Sequence, residues 1–499
     1  MDLIKVRKKN HAFLDIECEP SVANELCDFF TFFVPGYKFM PSYKNKMWDG
    51  KIRLYDTRKK ELYGGLFKYV QEFANAEGRD YRIELEHDTY YGLPGVEHDV
   101  DMSFIKDLTL SAQGKPIEPR DYQLQAIEYG LKEKSAMLIS PTASGKSLVI
   151  YSLLRYILED TDKKILIIVP TTSLVEQMYN DFADYSQYDD GFDVKSMCHR
   201  VYSGRPKMSE ERVMISTWQS IYKLQGSFFE QFGAVFGDEA HNFKAKSLTS
   251  ILSKCRDAEY RFGTTGTLDG TQTHKLVLEG LFGPAFYVTT TKKLMDEGSL
   301  SDLDISVLLM KHNEEVRRKF GKKTYQEEID YIVTYEKRNQ FISNLALDQD
   351  GNTLVLFQYV EKHGKPLYNL IADKAHKRRK IFYVSGETGV DTREEIRRIT
   401  ETQKNAIIVA SLGTFSTGIN IRNLHNIIFA SPSKSQIRIL QSIGRGLRKS
   451  EDGRKTKLYD LADDLHWKSR KNFTLNHAAE RIKIYTKEKF RYKIYEIDI

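Results

Sequence analysis

Ala136-Met137-Leu138-Ile139-Ser140-Pro141-Thr142-Ala143-Ser144-Gly145-Lys146-Ser147 is the stretch on which the reading of the chain turns. Four apolar residues lead into a loop ending Gly-Lys-Ser, and an apolar segment over residues 148–156 follows at helical spacing. Strand, loop and helix form the setting that a phosphate-binding loop requires. Backbone N–H groups of such a loop wrap phosphates at the positive end of the helix dipole. Ser140, Pro141, Thr142, Ala143, Ser144 and Gly145 would line the phosphates, Lys146 would reach the β/γ-phosphates, and the Ser147 hydroxyl would sit on Mg²⁺. ATP and Mg²⁺ are the expected cofactors. Ser140 stands where the general pattern has glycine.

Outward from this loop the texture persists. Ile165–Val169, Val213–Ile215 and Ala234–Phe236 are short apolar runs without polar alternation, the pattern of strands covered on both faces of a parallel sheet. The pattern restarts beyond a charged helical stretch, Glu314–Arg338, with Leu354–Phe357, Ile381–Val384, Ala406–Ala410 and Ile427–Ala430. The expected fold class is α/β, with two tandem parallel-sheet domains. A small aromatic and basic α+β domain should precede them, where Asp49-Gly50 and Ile52-Arg53-Leu54-Tyr55 suggest a turn feeding a strand. The tail beyond about Asp463 carries apolar residues at helical spacing. The expected boundaries are 1–105, 106–300, 301–455 and a basic helical extension over 456–499.

Two further clusters carry chemistry. Asp238-Glu239-Ala240-His241 follows the strand Ala234–Phe236. Asp238 would hold the metal and Glu239 would polarise an attacking water, with His241 beside them. Gln441 and the pair Arg445 and Arg448, three residues apart on one helical face, would present donors to the charge developing on a transferred phosphoryl group.

In this order and spacing the three clusters resemble motifs I, II and VI of superfamily 2 helicases, whose domains are RecA-like. Arg120-Asp121-Tyr122-Gln123 resembles the adenine-contacting Q motif, which implies base contacts from Arg120 and Gln123. Pro170-Thr171-Thr172 resembles motif Ia and Ser216-Thr217 the Ib region. Gly413-Thr414, opening a stretch that runs to Asn420, resembles motif V, and Phe357-Gln358 lies near motif IV. The resemblance implies that Pro170, Thr171, Thr172, Ser216, Thr217, Gly413 and Thr414 touch the nucleic-acid backbone. Thr264-Thr265-Gly266-Thr267 occupies the motif III position, where Ser-Ala-Thr is common, and Ala143 stands where many helicases have glycine.

Along its whole length the chain resembles the recombination helicases of T-even bacteriophages. That likeness implies remodelling of branched DNA in recombination, repair and replication: fork regression, Holliday-junction migration and unwinding of RNA–DNA hybrids at R-loops. It implies single-stranded DNA as a further partner and a host-cell cytoplasm as the working site. In the N-terminal domain, Lys44, Lys46, Trp48 and Lys51 are the expected nucleic-acid contacts, with Phe39 and Tyr43 as further stacking candidates. An RNA helicase or a double-strand translocase is the alternative function.

Composition sets the outer bounds. The 499 residues exceed what one ordinary hydrophobic core holds, and 41% are apolar. The net charge of +6 is modest, but basic residues crowd the first ten positions, residues 38–53 and the tail. Four cysteines without Cys-x-x-Cys spacing predict reduced thiols rather than a disulfide framework or zinc site. No run of eighteen apolar residues is present, so a cytoplasmic protein without a membrane partner, working as a monomer, is expected.

Overall fold

Unalternated apolar runs need cover on both faces, and a parallel sheet between helices supplies it. A computed structural model of the protein describes residues 2–86, 100–268, 271–375, 379–418, 421, 423–432, 435, 443–444, 447 and 454–499. Contacts divide the chain into two compact units, Met1–Ser140 with Gly145–Val288, and Thr289–Ile499 with Pro141–Ser144.

The first unit contains a seven-stranded parallel sheet. Its spatial order is Cys198–Val201, Val213–Thr217, Lys164–Val169, Phe232–Asp238, Tyr260–Thr265, Ser135–Ile139 and Ala285–Tyr287. Every residue of Phe232–Asp238 and of Tyr260–Thr265 is buried, as expected for strands at the middle of a doubly covered sheet. Helix Lys146–Asp160 buries nine residues, seven of them consecutive from Leu148 to Leu154, which explains why its sequence is apolar all round.

The small N-terminal domain has a five-stranded mixed sheet in the order Tyr55–Asp56, Glu61–Tyr63, Phe13–Glu17, Asp2–Lys8 and Tyr81–Leu85. Helices Pro20–Phe29 and Phe67–Ala74 cover it. This domain is not a separate bead. Ile4, Phe30, Leu66 and Phe73 belong to one continuous apolar cluster with Leu166, Val235, Leu278 and Phe282 of the large sheet and its helices. Gly65 and Gly280 mark the closest approach. A Cβ on Gly65 would collide with the Glu279 carbonyl, and one on Gly280 would press on Tyr63. The stretch around 108–117, polar enough to read as a free linker, forms a short hairpin, Ser111–Ala112 with Lys115–Pro116. Asp184 holds it, accepting from the Ser111 hydroxyl and, at 2.7 Å, from the Gln113 amide.

The second unit has its own seven-stranded parallel sheet. Its order is Ile381–Val384, Ile407–Ser411, Thr353–Phe357, Asn426–Phe429, Thr456–Asp464, Leu303–Lys311 and Arg491–Asp498. All the apolar runs expected to be strands are strands. The tail expected to be helical does carry a helix, Phe473–Lys487, but strands flank it on both sides and complete the sheet.

Thr456–Asp464 looks too acidic for a sheet interior, yet Asp460 and Asp463 are 0% exposed. Each is matched by an equally buried arginine. Arg481 donates to Asp460 at 2.8 Å, as does the Tyr485 hydroxyl at 2.9 Å, and Arg338 donates to Asp463 at 2.9 Å. Burial alone would raise the Asp463 carboxyl; Arg338 and His312 beside it hold it below its ordinary range. A buried charge persists only when paired in this way. Among the described residues no helix is long and apolar enough to cross a membrane, and all four cysteines are free.

Candidate nucleotide site

Strand Ser135–Ile139 ends at Ser140, whose amide donates to the Thr265 carbonyl of the neighbouring strand at 2.8 Å. The loop then turns tightly. The Ser144 hydroxyl donates to the Pro141 carbonyl at 2.7 Å, and helix Lys146–Asp160 begins after Gly145, whose φ is +81°. A side chain at Gly145 would strike the amide nitrogen of Gln123, so the phosphate loop and the first helix of the domain meet edge to edge here. The same amide group caps its own helix. The Arg120 amide donates to Gln123 Oε1 at 2.8 Å, while the Arg120 guanidinium donates to the Tyr122 hydroxyl at 2.9 Å. Lys146 Nζ donates to the Ser140 carbonyl at 3.2 Å, which folds the ammonium back over the loop.

Ala143 has φ +67°, a left-handed conformation that costs a side-chain-bearing residue about 1–2 kcal/mol. Glycine there would relieve this strain and lose only about 0.4–1 kcal/mol through the freer unfolded chain. Ala143→Gly should therefore raise the urea midpoint of unfolding, and a lower midpoint would show that the loop is unstrained.

Asp238 closes strand Phe232–Asp238 at 8% exposure. Burial pushes its carboxyl up, and Glu239 next door pushes the same way. The Lys146 ammonium and the Thr264 hydroxyl, which donates to Asp238 Oδ1 at 2.7 Å, pull it down. Glu239 sits at φ +51°, a strained position of the kind that sites retain. His241 Nδ1 lies 3.1 Å from the Thr265 hydroxyl and 3.4 Å from Glu239 Oε2, and His274 Nε2 lies 3.0 Å from the His241 carbonyl. The threonine-rich motif III strand thus reaches motif II through hydroxyls, Thr264 to Asp238 and Thr265 to His241.

Tyr185, at the end of helix Thr172–Tyr185, places its hydroxyl 2.8 Å from the Ser147 hydroxyl. The sequence reading did not include it. It lies 38 positions from Ser147 with no motif around it, and only the tertiary packing brings it in.

The expected nucleic-acid contacts fall in several places. Thr171 caps helix Thr172–Tyr185, its hydroxyl accepting from the Leu174 amide, and the Pro170 carbonyl accepts from Gln219. The Thr217 hydroxyl lies 2.9 Å from that of Ser220. Ser216 is fully buried, its hydroxyl turned onto the Thr217 carbonyl, so its side chain is part of the sheet interior. In the second unit Gly413 is exposed, while the Thr414 hydroxyl is buried against Ser411. In the N-terminal domain Lys44 and Lys46 are exposed and Lys51 is half-buried. Trp48 is half-buried, with its indole N–H donated to the Lys51 carbonyl at 2.9 Å. Gln441, Arg445 and Arg448 lie outside the described residues, as do Ile419 and Asn420 of motif V.

Three family descriptions match in chain order: "DNA helicase UvsW, N-terminal" over residues 3–86, "Type III restriction enzyme, res subunit" over 116–270, and "Helicase conserved C-terminal domain" over 336–450. Over its full length the chain is similar to the ATP-dependent DNA helicase uvsW of Enterobacteria phage T4. The two are 36% identical over 513 aligned residues, which take in 99% of this chain and 100% of that one. The chain belongs to the UvsW family. The crystal structure of T4 UvsW matches it at 34% identity and a TM-score of 0.52, with 100% of both chains covered. A more distant relative of the UvsW-type chain is the DNA 3'-5' translocase XPB2 of Sulfurisphaera tokodaii, 23% identical over 71% of this chain and 84% of that one. Membership makes the protein an ATP-dependent helicase of superfamily 2, with two RecA-like domains formed by the two parallel sheets.

Proposed function

We infer that this UvsW-type helicase hydrolyses ATP at Lys146, Ser147, Asp238 and Glu239 and uses the energy to remodel branched DNA. The observation that carries the reading is the convergence of the two clusters on strand Tyr260–Thr265, which lies between their own strands: the Ser140 amide donates to the Thr265 carbonyl at 2.8 Å and the Thr264 hydroxyl to Asp238 Oδ1 at 2.7 Å. Lys146 would bind the β/γ-phosphates, and Glu239 would take the proton of the attacking water. Gln123 and Arg120 would read the adenine, with Gln123 touching base and loop at once.

Mg²⁺ fits what the site offers. Among the described residues no cluster of three metal-binding side chains exists. Mg²⁺ is commonly held by one or two protein ligands with phosphates and water, and Ser147 and Asp238 supply that number. When bound, it neutralises charge on the phosphate oxygens. A serine that gives its lone pair to a cation must donate its proton elsewhere, and Tyr185 is the acceptor at hand. Tyr185→Phe should raise the Mg²⁺ concentration for half-maximal turnover by roughly 2–10-fold, the value of one neutral hydrogen bond. An unchanged Mg²⁺ dependence would remove Tyr185 from the site.

On the nucleic-acid side, Pro170, Thr171, Thr172, Thr217, Gly413 and Thr414 would grip the backbone without reading sequence, which makes binding salt-sensitive. Arg445 and Arg448, with Gln441, remain the proposed partners of the transferred phosphoryl group on motif grounds. Remodelling suits such a motor energetically. Separating a duplex costs about 1.4 kcal/mol per stacked step, whereas moving a branch exchanges one pair for another at nearly no net cost. Forks, Holliday junctions and RNA–DNA hybrids are the proposed substrates, in the host-cell cytoplasm, with a monomer as the working form.

The deciding measurement is ATP turnover with single strand, plain duplex, fork and four-way junction. Forks and junctions should stimulate most. Equal stimulation by plain duplex would point to a translocase, and stimulation by RNA alone to an RNA helicase; either would overturn the branched-DNA reading.

A further inference from the structure

Between strands Thr31–Phe33 and Lys51–Arg53 of the N-terminal domain the chain runs out through residues 34–50 and returns. This excursion is ordered by its own contacts. The Val34 amide donates to the Gly50 carbonyl at 2.9 Å, Lys44 to Met40 at 3.0 Å, and Met47 to Ser42 at 2.9 Å. Tyr37 stacks on Phe33 with centroids 4.7 Å apart and takes the edge of Tyr43 at the same distance. Gly50 lies flat against the Tyr37 ring, where a Cβ would overlap it. Tyr37 therefore sits at the middle of the excursion's packing with Tyr43 against it, and the Trp48 indole N–H ties the far end to the Lys51 carbonyl at 2.9 Å.

What it presents outward is different. Phe39 is 81% exposed and Met47 78%. Apolar exposure on this scale at an ordered tip is not explained by folding. Lys38, Lys44 and Lys46 are exposed around the two side chains, and none of them forms an ion pair among the described residues, whereas Asp49 is already paired with Arg53. Beside the tip lies a cleft of about 600 Å³ lined by Lys38, Tyr43, Lys46, Met47 and Trp48 among others. An exposed aromatic face, flanked by an exposed thioether and ringed by ammonium groups that form no ion pair, matches an unstacked base with its flanking phosphates.

The mount is rigid. The small domain and the first large sheet share one apolar cluster. The buried Glu279 carboxylate ties Tyr69 and Lys68 of the small domain to the sheet's last helix, and the His11 amide donates to the Arg256 carbonyl at 3.0 Å. An excursion fixed to the sheet that carries the phosphate loop moves with that sheet and can push.

We propose that residues 34–50 form a rigid wedge that stacks Phe39 and Met47 on the unpaired base at a branch point of DNA, with Lys38, Lys44 and Lys46 on its phosphates. The inference rests on the nucleic-acid motor reading and names which side chains of the N-terminal domain meet the branch. Trp48 and Tyr43 hold the wedge together, and Phe39 does the stacking.

The test uses the full-length protein with 2-aminopurine placed at the branch of a fork. Wild type should change the probe's fluorescence on binding. Phe39→Ala with Met47→Ala, both at exposed positions, should abolish that change and weaken fork binding roughly 10-fold, the usual value of one stacked base. Binding to plain duplex should shift less than 2-fold, and Phe39→Trp should restore both signals. Three outcomes overturn the wedge: equal loss on fork and duplex, a fluorescence change that survives the double variant, or no rescue by tryptophan. Duplex-stimulated ATP turnover in the same variants separates the two readings. If it is intact while the fork signals do not move, the wedge alone fails; if wild type itself is not stimulated by any nucleic acid, the motor reading fails.

Discussion

Lys146→Ala and Glu239→Gln are each expected to lower nucleic-acid-stimulated ATP turnover by about 10²–10⁴-fold, the usual worth of a lost general base or a lost charge clamp on a reacting phosphate. The two variants should fail differently. The Lys146 ammonium pulls the Asp238 carboxyl, 8% exposed, down against the burial and the Glu239 charge that raise it. Its removal should weaken nucleotide binding as well as turnover, since it takes away phosphate contact and the cation that counters the buried Asp238 charge. Glu239→Gln keeps the shape and the backbone hydrogen bond from the Glu239 amide to Asp238, at 2.9 Å. Nucleotide should then still bind and turnover should vanish. Glu239→Gln leaves the apolar core untouched, so its urea unfolding should stay within about 0.5 kcal/mol of wild type. For Lys146→Ala, which strips the buried Asp238 carboxyl of its cation, retained folding is checked by its own urea transition. Measured turnover near wild type in either variant would displace the site from these strand ends.

How far the sequence shows this site depends on how local each signal is. The phosphate loop and the acidic strand end are legible because strand, loop and helix are contiguous, and the chemistry lies within a dozen residues. Thr264 and Thr265 are half-legible. Their place in motif order is visible, but that their hydroxyls reach Asp238 and His241 follows from a strand pairing that sets Asp238 opposite Thr264. Tyr185 carries no local signal at all.

The fold divides the same way. Apolar runs such as Ile165–Val169 declare themselves as strands, whereas Thr456–Asp464 hides behind its aspartates. Their partners, Arg481 and Arg338, lie 21 and 125 positions away from the carboxylates they neutralise. The aromatics of the N-terminal domain show a third limit. Composition marks them as a group, but only burial separates Trp48, tied inward by its N–H, from Phe39, which points out.

The union of the small domain with the motor sheet was the least legible feature, and it sets the second large expectation. Tyr69 and Glu279 are 210 residues apart. Glu279 is 1% exposed and accepts from the Tyr69 hydroxyl and, at 3.3 Å, from the Ala285 amide, with Lys68 at 3.4 Å and Lys275 at 3.8 Å. Breaking a fully buried ion pair costs about 3–5 kcal/mol. Lys68 and Lys275 are 32% and 46% exposed, however, so both can rehydrate. The loss then comes mainly from leaving the hydroxyl and the amide unpaired, about 1–3 kcal/mol for such groups. Glu279→Ala should therefore lower the unfolding free energy by about 2–3 kcal/mol. Glu279→Gln keeps a neutral acceptor and should lose less.

The same contact decides how the small domain can be tested. Cutting the chain near residue 105 would strip Tyr63 and Leu66 from Gly280 and Tyr69 and Lys68 from the Glu279 carboxylate, so weaker fork binding by such a truncation would report damage to the motor sheet as readily as loss of a branch reader. Glu279→Ala leaves every DNA-facing side chain in place and loosens only the mount. If the wedge works by moving with the sheet, this variant should bind forks nearly as wild type, hydrolyse ATP on them, and open or migrate them poorly. Normal remodelling by a variant with a demonstrably weakened mount would show that the N-terminal domain need not be rigid to act.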